Sequence, residues 1–384
     1  MHFIDFVLRN LLRRKVRTTL TVVGVSVAIA AVVGLVSITD GYEHTVQAKY
    51  ASHGVDLVVV KAGVANRATS TLHEDLGKQL EHLDGVAKVT MSLTLPVTFE
   101  KNSLETHSIN GWPADSFAFN SLAIEKPGRY LEPTDEHTVL LGRSLANSMG
   151  KKLDDEVMIE GQPFKLVGIY DSPNMIENQS AVISLRDLQD LMDRKGEVSE
   201  FDIAMKKNLP DQKAALLALR HTIEGLKDEN GAKLGLQAKE TEDFVKSDGQ
   251  QRLARAMAWI TSVIALIVGS IGMLNTMIVS VLERTQEIGI LRAIGWRKSR
   301  VMWMILIESF TLSFTGAVFG ILVAYAMIMI LARFPAAQGF VSGYVTMKIV
   351  VMAYVLSVVV GLIGGAYPAL RGASLPPTEA LRYE

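Results

Sequence analysis

Four apolar runs, at about 18–39, 259–282, 301–331 and 349–367, set what this chain can fold into. Each is long enough to cross the ~30 Å hydrocarbon core of a bilayer, which takes about 20 helical residues. Hydrocarbon offers the backbone no partner, so such runs must satisfy their own N–H and C=O groups as helices. The third run exceeds what one crossing needs, so it is expected to tilt or protrude. Basic residues set the expected orientation. Arg9, Arg13, Arg14, Lys15 and Arg17 precede the first run, and Arg284, Arg292, Arg297, Lys298 and Arg300 lie in the 283–300 connection between the second and third. The positive-inside rule places both segments in the cytoplasm. Four crossings then return 368–384, with Arg371 and Arg382, to that side. A cleaved signal peptide competes for the first run, since Ala28 and Ala30 form an A-x-A match. They lie mid-run behind a long basic leader, which disfavours cleavage.

Hydrophobic residues make up 49% of the chain and mean hydropathy is +0.24, yet 21% of residues are charged and the net charge is −1. That mixture implies a membrane protein with a large water-soluble part. No basic patch interleaves with aromatics, which argues against nucleic-acid binding. Cysteine is absent, so disulfides, metal–thiolate sites and catalytic thiols are excluded.

The soluble part is the insert at 40–258. Short β-rich runs recur at 56–60, 87–93, 97–100, 138–141, 164–169, 181–184 and 201–205. Helical patterns alternate with them at 72–83, 143–149, 185–194 and 211–226. Turns fall at Trp112-Pro113, Lys126-Pro127-Gly128 and Gly161-Gln162-Pro163. The expected fold is four transmembrane helices with a large α+β extracytoplasmic (periplasmic) domain inserted between the first and second. Two lobes are an option, with 111–142 and 199–229 as candidate boundaries. The connections at 40–50 and 240–257 read as helices continuous with their spans, a stalk. Thr241, Glu242 and Asp243 form the expected N-cap and first turn of the second.

The 283–300 segment has helical spacing at its centre. Ile288, Leu291 and Ile294 (or Ala293) fall on one side, with Glu287 and Arg292 elsewhere. Gly295 follows as a helix stop. A short amphipathic helix there suits docking to a soluble partner, although a solvated topological loop explains the same charges. The leader, 1–17, sets Phe3, Phe6, Val7 and Leu11 opposite Arg9 and Arg13, as expected of an interfacial helix.

Inside the spans, the pairs Gly24/Ala28, Gly316/Gly320 and Gly361/Gly365 have small-xxx-small spacing that permits close helix contact, though it also arises by chance. Asn275 and Thr276 could bond across a helix pair or pack within the chain. Glu308 is costly inside a span. It is expected to meet the 283–300 segment or a partner span, with Arg284 or Arg292 as its cation, unless its turn still lies at the interface. The insert offers little chemistry. Its seven histidines, His44, His53, His73, His82, His107, His137 and His221, lack metal-ligand spacing and read as surface residues. No G-x-S-x-G and no general acid–base pair stands out. The loops at Trp112-Pro113 and Pro173-Asn174-Met175 could bind a substrate or an adaptor, and ordinary turns explain them equally well.

Three motifs carry a family resemblance. Arg9 to Thr18 (RNLLRRKVRT) resembles R-N-L-x-R-x-K-x-R-T. Glu283 to Gly295 (ERTQEIGILRAIG) resembles E-R-T-x-E-I-G-I-x-R-A-x-G. Tyr367-Pro368-Ala369 through Pro377 to Arg382 resembles P-A-x-x-A and P-x-E-A-L-R. In this order, with four spans, they resemble the permease subunits of MacB-type (type VII, FtsX-like) ABC transporters. The resemblance implies a coupling segment (Glu283, Arg284, Glu287, Ile288, Leu291, Arg292 and Ile294) that docks on a cytoplasmic ABC ATPase, which binds ATP and Mg²⁺. It implies a permease dimer of identical or paralogous chains, a multi-pass place in the bacterial inner membrane, and contact with membrane lipids. It also allows a periplasmic adaptor or lipoprotein partner. No G-x-x-x-x-G-K-[ST] occurs; Gly150-Lys151-Lys152 is the nearest run. ATP hydrolysis is therefore expected in a separate subunit, and this chain is expected to be no enzyme. Two activities fit: export or extraction of a lipoprotein, lipid, peptide or small toxic molecule, or cargo-free control of a periplasmic enzyme.

Overall fold

The computed structural model describes residues 15–64, 67–99, 106–172, 174–228, 230–334 and 345–376. The leader at 1–14 and the tail motif at 377–384 lie outside them. The chain divides into two compact units, one of 1–40, 254–332 and 343–384, the other of 41–253 with 333–342. The division falls within α1 (Lys15–His53), a single helix of 39 residues.

The second unit is an α+β domain. Its main sheet takes β1 (Leu57–Lys61), β3 (Val86–Thr98), β4 (Thr106–Trp112), β5 (Ala123–Ile124), β6 (Thr138–Gly142), β8 (Gln162–Asp171), β9 (Ala181–Ser184), β11 (Glu200–Met205) and β12 (Leu236–Glu240). Their order is β12-β1-β11-β3-β4-β9-β6-β8-β5, and β7 (Glu156–Ile159) pairs with β8. Pairings β4–β9 and β6–β8 are parallel, the rest antiparallel. Helices α2 (Leu76–Glu81), α3 (Arg143–Met149), α4 (Leu185–Leu191), α5 (Gln212–Glu224) and α6 (Thr241–Ser247) complete the domain with a small ribbon of β2 (Leu72–His73) and β10 (Glu197–Val198).

Side-chain alternation explains why the central strands read as unbroken apolar runs: both faces are covered. Leu57 and Val59 enter the main core, while Val58 and Val60 meet Tyr50, Phe244 and Val245 on the other face. Val139 and Leu141 likewise face the main core, and Leu140 faces a second cluster around Trp112 and Tyr170. β3 joins the two halves of the sheet. Val86–Ser92 run beside β11, and Leu93–Thr98 beside β4. Pro96 sits where β11 no longer runs alongside, so its missing N–H costs no bond on that side.

Several expectations change here. The runs at 87–93 and 97–98 are one strand, Phe99 forms an isolated bridge with Ile159, and Glu100 lies outside the described residues. The helix expected over 72–83 shrinks to α2, because Leu72–His73 are drawn into pairing with β10. The sheet continues through β3, so neither candidate lobe boundary interrupts it; the exchange of partner falls between Ser92 and Leu93. The stretch 240–257 is not one helix. α6 ends at Asp248, whose ψ of 130 is extended, and α7 (Gly249–Glu283) begins beyond it. The Asp248 carboxylate accepts the Gln251 N–H at 3.3 Å, the bond of an N-cap. Thr241 caps nothing; its hydroxyl donates to the Val55 carbonyl at 3.1 Å.

In the first unit, the inner part of α1 packs with α7, α8 (Thr285–Ala293), α9 (Lys298–Leu331) and α10 (Met347–Ser374). Four of these helices, α1, α7, α9 and α10, are long and apolar enough to cross a membrane. Ile29, Met273, Met277, Ala317, Ala353 and Val360 form a shared interior. Ile264, Ile271, Phe319, Leu322, Val355 and Leu362 are exposed on the outside, as lipid-facing side chains would be. Glycines set the closest approaches. A Cβ at Gly316 would lie 2.7 Å from Val25 Cγ1, and one at Gly320 would lie 2.7 Å from the Ser26 carbonyl, so both admit α1. Gly361 and Gly365 admit α9: a Cβ at Gly365 would lie 2.5 Å from Ser309 Oγ, and one at Gly361 would collide with the Ser313 hydroxyl. Gly24 has open space above it, whereas Ala28 meets Gly269 on α7.

Candidate functional site

The connection between α7 and α9 gathers most of the charged residues singled out from sequence. α7 ends at Glu283 and α8 begins at Thr285, with Arg284 between them at φ −113 and ψ 16. That corner turns the chain and aims two consecutive side chains at different helices. Glu283 takes a bidentate pair from Arg17 on α1, with Nη1 at 2.7 Å from Oε2. Arg284 turns inward and donates to Glu308 on α9, 3.0 Å to Oε2 and 3.3 Å to Oε1. Both side chains of this second pair are only 9% exposed. A buried guanidinium and carboxylate in a span each need the other, so removing either leaves an uncompensated charge.

The same geometry sorts the two faces of α8. Ile288 is 2% exposed and belongs to the shared interior, with Leu291 packed against it. Gln286, Glu287, Ile290, Ala293 and Ile294 are exposed. The apolar stripe read as one side is therefore split: Ile288 and Leu291 anchor the helix to its own bundle, while Ile290 and Ile294 face outward. Arg292 is half-buried, and its Nη1 donates to the Trp296 carbonyl at 3.1 Å. The helix stops at Gly295 (φ +102) in a Schellman arrangement, Trp296 N–H to Leu291 O and Gly295 N–H to Arg292 O, both 3.1 Å. Arg300 then lies over the Trp296 ring at 4.4 Å. A short, capped, braced helix results.

Of the remaining sequence candidates, Gly316, Gly320, Gly361 and Gly365 lie at helix contacts away from this corner. Asn275 is exposed on α7, and Thr276 returns its hydroxyl to the Gly272 carbonyl at 2.9 Å. Sequence reasoning passed over Arg17 as a partner of Glu283 and Ile290 as an outward residue. The i, i+4 spacing of Gln286, Ile290 and Ile294 was the available signal for the second. His53 also corrects its sequence reading: it is buried, 2.8 Å from Glu177 Oε1. The Trp112 turn is structural too, since Trp112 is buried and donates to Ser92 Oγ at 3.1 Å. Among the described residues, no group of three or more His, Asp or Glu could hold a metal ion.

Residues 18–218 match the MacB-like periplasmic core domain, and residues 259–377 match the FtsX-like permease C-terminal domain. The ABC transporter permease MJ1507 of Methanocaldococcus jannaschii is 25% identical, covering 99% of this chain and 98% of its own length. The macrolide export ATP-binding/permease protein MacB of Shewanella sp. (strain W3-18-1) is also 25% identical. That match covers 96% of this chain but only 59% of the relative, so this chain spans well under two thirds of that protein. The solved periplasmic region of MacB from Actinobacillus actinomycetemcomitans aligns at 13% identity and TM-score 0.40, covering 50% of this chain and 94% of that one. With both domains matched in order around four apolar helices, the chain belongs to the MacB-like, FtsX-like family of ABC transporter permeases.

Proposed function

We propose that this chain is the membrane permease of an ATP-driven machine in the cytoplasmic membrane. A cytoplasmic ABC ATPase docks on α8, and its motion passes through the spans to the inserted extracytoplasmic domain, which exports or extracts a substrate. One observation carries the reading. α8 is a short capped helix between the second and third spans, anchored on one face by Ile288 and Leu291 and open on the other at Glu287, Ile290 and Ile294. The ion pairs to Arg17 and Glu308 tie its root to α1 and α9, so a push on α8 is felt by both. Two permease copies would let one pair of ATPase subunits act on both domains. The close approaches at Gly316, Gly320, Gly361 and Gly365 leave this bundle packed, which favours work by domain motion over passage through a pore within one chain. Mechanical control of an external enzyme uses the same parts.

The two faces of α8 supply the test. Ile290→Glu with Ile294→Glu is expected to abolish co-purification of an ATPase from membranes while leaving the Tm of the full chain in detergent unchanged. Ile288→Asp is expected to lower that Tm instead, since it places an unpaired carboxylate in the interior. An ATPase that still co-purifies and is still stimulated by the Ile290/Ile294 variant would refute docking on this face.

A further inference from the structure

The outer turns of α1 are held by a single turn of the inserted domain. Thr45, Lys49 and His53 recur at i, i+4 and i+8, one face of the helix. All three meet the connection between β8 and β9. Asn174 donates its side-chain amide to the Thr45 carbonyl. Lys49 Nζ lies 4.0 Å, and His53 Nε2 2.8 Å, from the same oxygen, Glu177 Oε1. The other Glu177 oxygen accepts from Ser172 at 2.6 Å, and Asn174 accepts the Ile176 N–H at 2.8 Å. Glu177 is 2% exposed, Asn174 3% and Lys49 7%. Burial alone would push the Glu177 carboxyl up, but His53, Lys49 and Ser172 around it hold it below its ordinary range.

The turn is in turn fastened to the sheet. Tyr170 on β8 donates to the Glu177 carbonyl at 2.8 Å, and Ser180 donates to the same carbonyl at 3.0 Å. Asn110 on β4 reaches Ser180 at 3.4 Å and accepts from Thr94 on β3 at 3.0 Å. A polar chain therefore runs from α1 through the turn to the strand where the sheet changes partners.

We propose that the 174–180 turn is a latch that locks the outer end of α1 to the β8–β9 half of the sheet, with Glu177 its positioning residue. A latch of this kind is specific in direction. A helix merely packed on apolar surface slides at small cost, whereas a carbonyl, an ammonium and an imidazole on one helical face, each meeting Asn174 or Glu177 in the turn, fix both its height and its rotation. Whatever moves α1 along its axis then moves β8 and β9 with it.

The chain contains no cysteine, so Ala48→Cys on α1 and Met175→Cys in the turn, both exposed, give two unique spin-label sites. Electron–electron distances are measured on the full chain in lipid nanodiscs, without nucleotide or any ATPase, so that the latch is judged independently of α8 docking. The parent is expected to give one narrow distance peak. Glu177→Gln and Asn174→Ala, made separately, are each expected to broaden it at least about twofold while hydrogen exchange of β6 stays protected. Should Glu177→Gln lose β6 protection, the smaller Asn174→Ala change decides. A distribution as narrow as the parent's in Asn174→Ala, or in a folded Glu177→Gln, overturns the latch.

Discussion

Among the described residues, charge is buried both at the α7–α8 corner and in the inserted domain, and the two places balance it differently. At the α7–α8 corner one guanidinium meets one carboxylate, Arg284 with Glu308, at 3.0 Å. In the inserted domain three carboxylates, Glu177, Glu200 and Asp202, are buried together with Lys49, His53 and the partly exposed Arg67. Tyr50 joins them, its hydroxyl 3.3 Å from Glu200 and accepting from Arg67 at 3.1 Å. The first site is a two-centred pair sealed inside the bundle. The second gathers three carboxyls around Lys49, Arg67 and the His53 ring, and two of them shift in opposite directions, Glu177 below its ordinary value and Asp202 above. Burial and the neighbouring Glu200 push the Asp202 carboxyl well above its ordinary value, against the pull of Lys49 and Arg67. Its Oδ1 is buried without a hydrogen-bond partner. A fixed fastener suits the root of α8, while a cluster holding one carboxyl raised by burial is adjustable by a single proton.

The contrast is broken most easily at the closed pair. Glu308→Ala leaves Arg284 charged and buried, and is expected to cost about 3–5 kcal/mol. The measurement is thermal unfolding of the full chain in detergent. Replacing both partners with apolar residues of similar volume, Arg284→Met with Glu308→Leu, is expected to cost far less, because no charge is stranded. Equal losses from the single and double variants would mean that stoichiometry is not what holds the corner.

A second test asks whether the bundle around that corner is as rigid as its pairing suggests. Gly365→Val sets a branched side chain where even a Cβ would lie 2.6 Å from Ser309 Cβ. Ser309 is fully buried and its hydroxyl donates to the Gly361 carbonyl at 2.5 Å, so it has no room to yield. Overpacking of this kind costs about 1–3 kcal/mol. Gly24→Ala, with open space above it, is the control and is expected to leave Tm unchanged or raise it, since alanine is the better helix former. Were Gly365→Val as mild as the control, α9 and α10 would be separable and the rigid-root argument would fall.

How much of this was legible in the sequence differs between the two regions for physical reasons. The spans were readable because a bilayer imposes length and apolarity residue by residue. The end of α8 was readable because Gly295 is the residue that a left-handed C-cap selects. Which side of α8 faces outward was not. An apolar stripe serves equally to dock a partner or to bury the helix against its own bundle, and Ile288 does the latter. In the inserted domain the central strands β1, β6 and β9 stood out as apolar runs. β4 did not, since His107, Ser108, Asn110 and Gly111 give it a polar look while it is paired on both sides. β12 was hidden at the sheet edge by Gln237, Lys239 and Glu240. The buried acidic cluster was the least legible part. Thr45, Lys49 and His53 look like a solvated stripe until the fold brings Glu177, more than 120 residues away, onto it.

The smallest expected effect sharpens the comparison most. Asp202→Asn keeps the shape of the side chain and removes its titration. Because the native pKa is raised, Asp202 contributes most stability below its ordinary value of 3.8. That contribution is lost as pH rises through the raised value. Glu177 has the opposite sign. Its contribution is complete above its ordinary 4.5 and is lost as pH falls below that. The parent is therefore expected to weaken at both ends of the range, and Asp202→Asn only at the acid end. Above the raised value the variant should gain about 1 kcal/mol, the scale of one hydrogen-bonding group no longer left ionised and unpaired. Hydrogen exchange of β11, followed from pH 4 upward until the parent weakens, reads both arms in one series. A variant that tracks the parent through the alkaline arm would show that Asp202 is ionised and neutralised by Lys49 and Arg67. The outer cluster would then be as closed as the membrane corner.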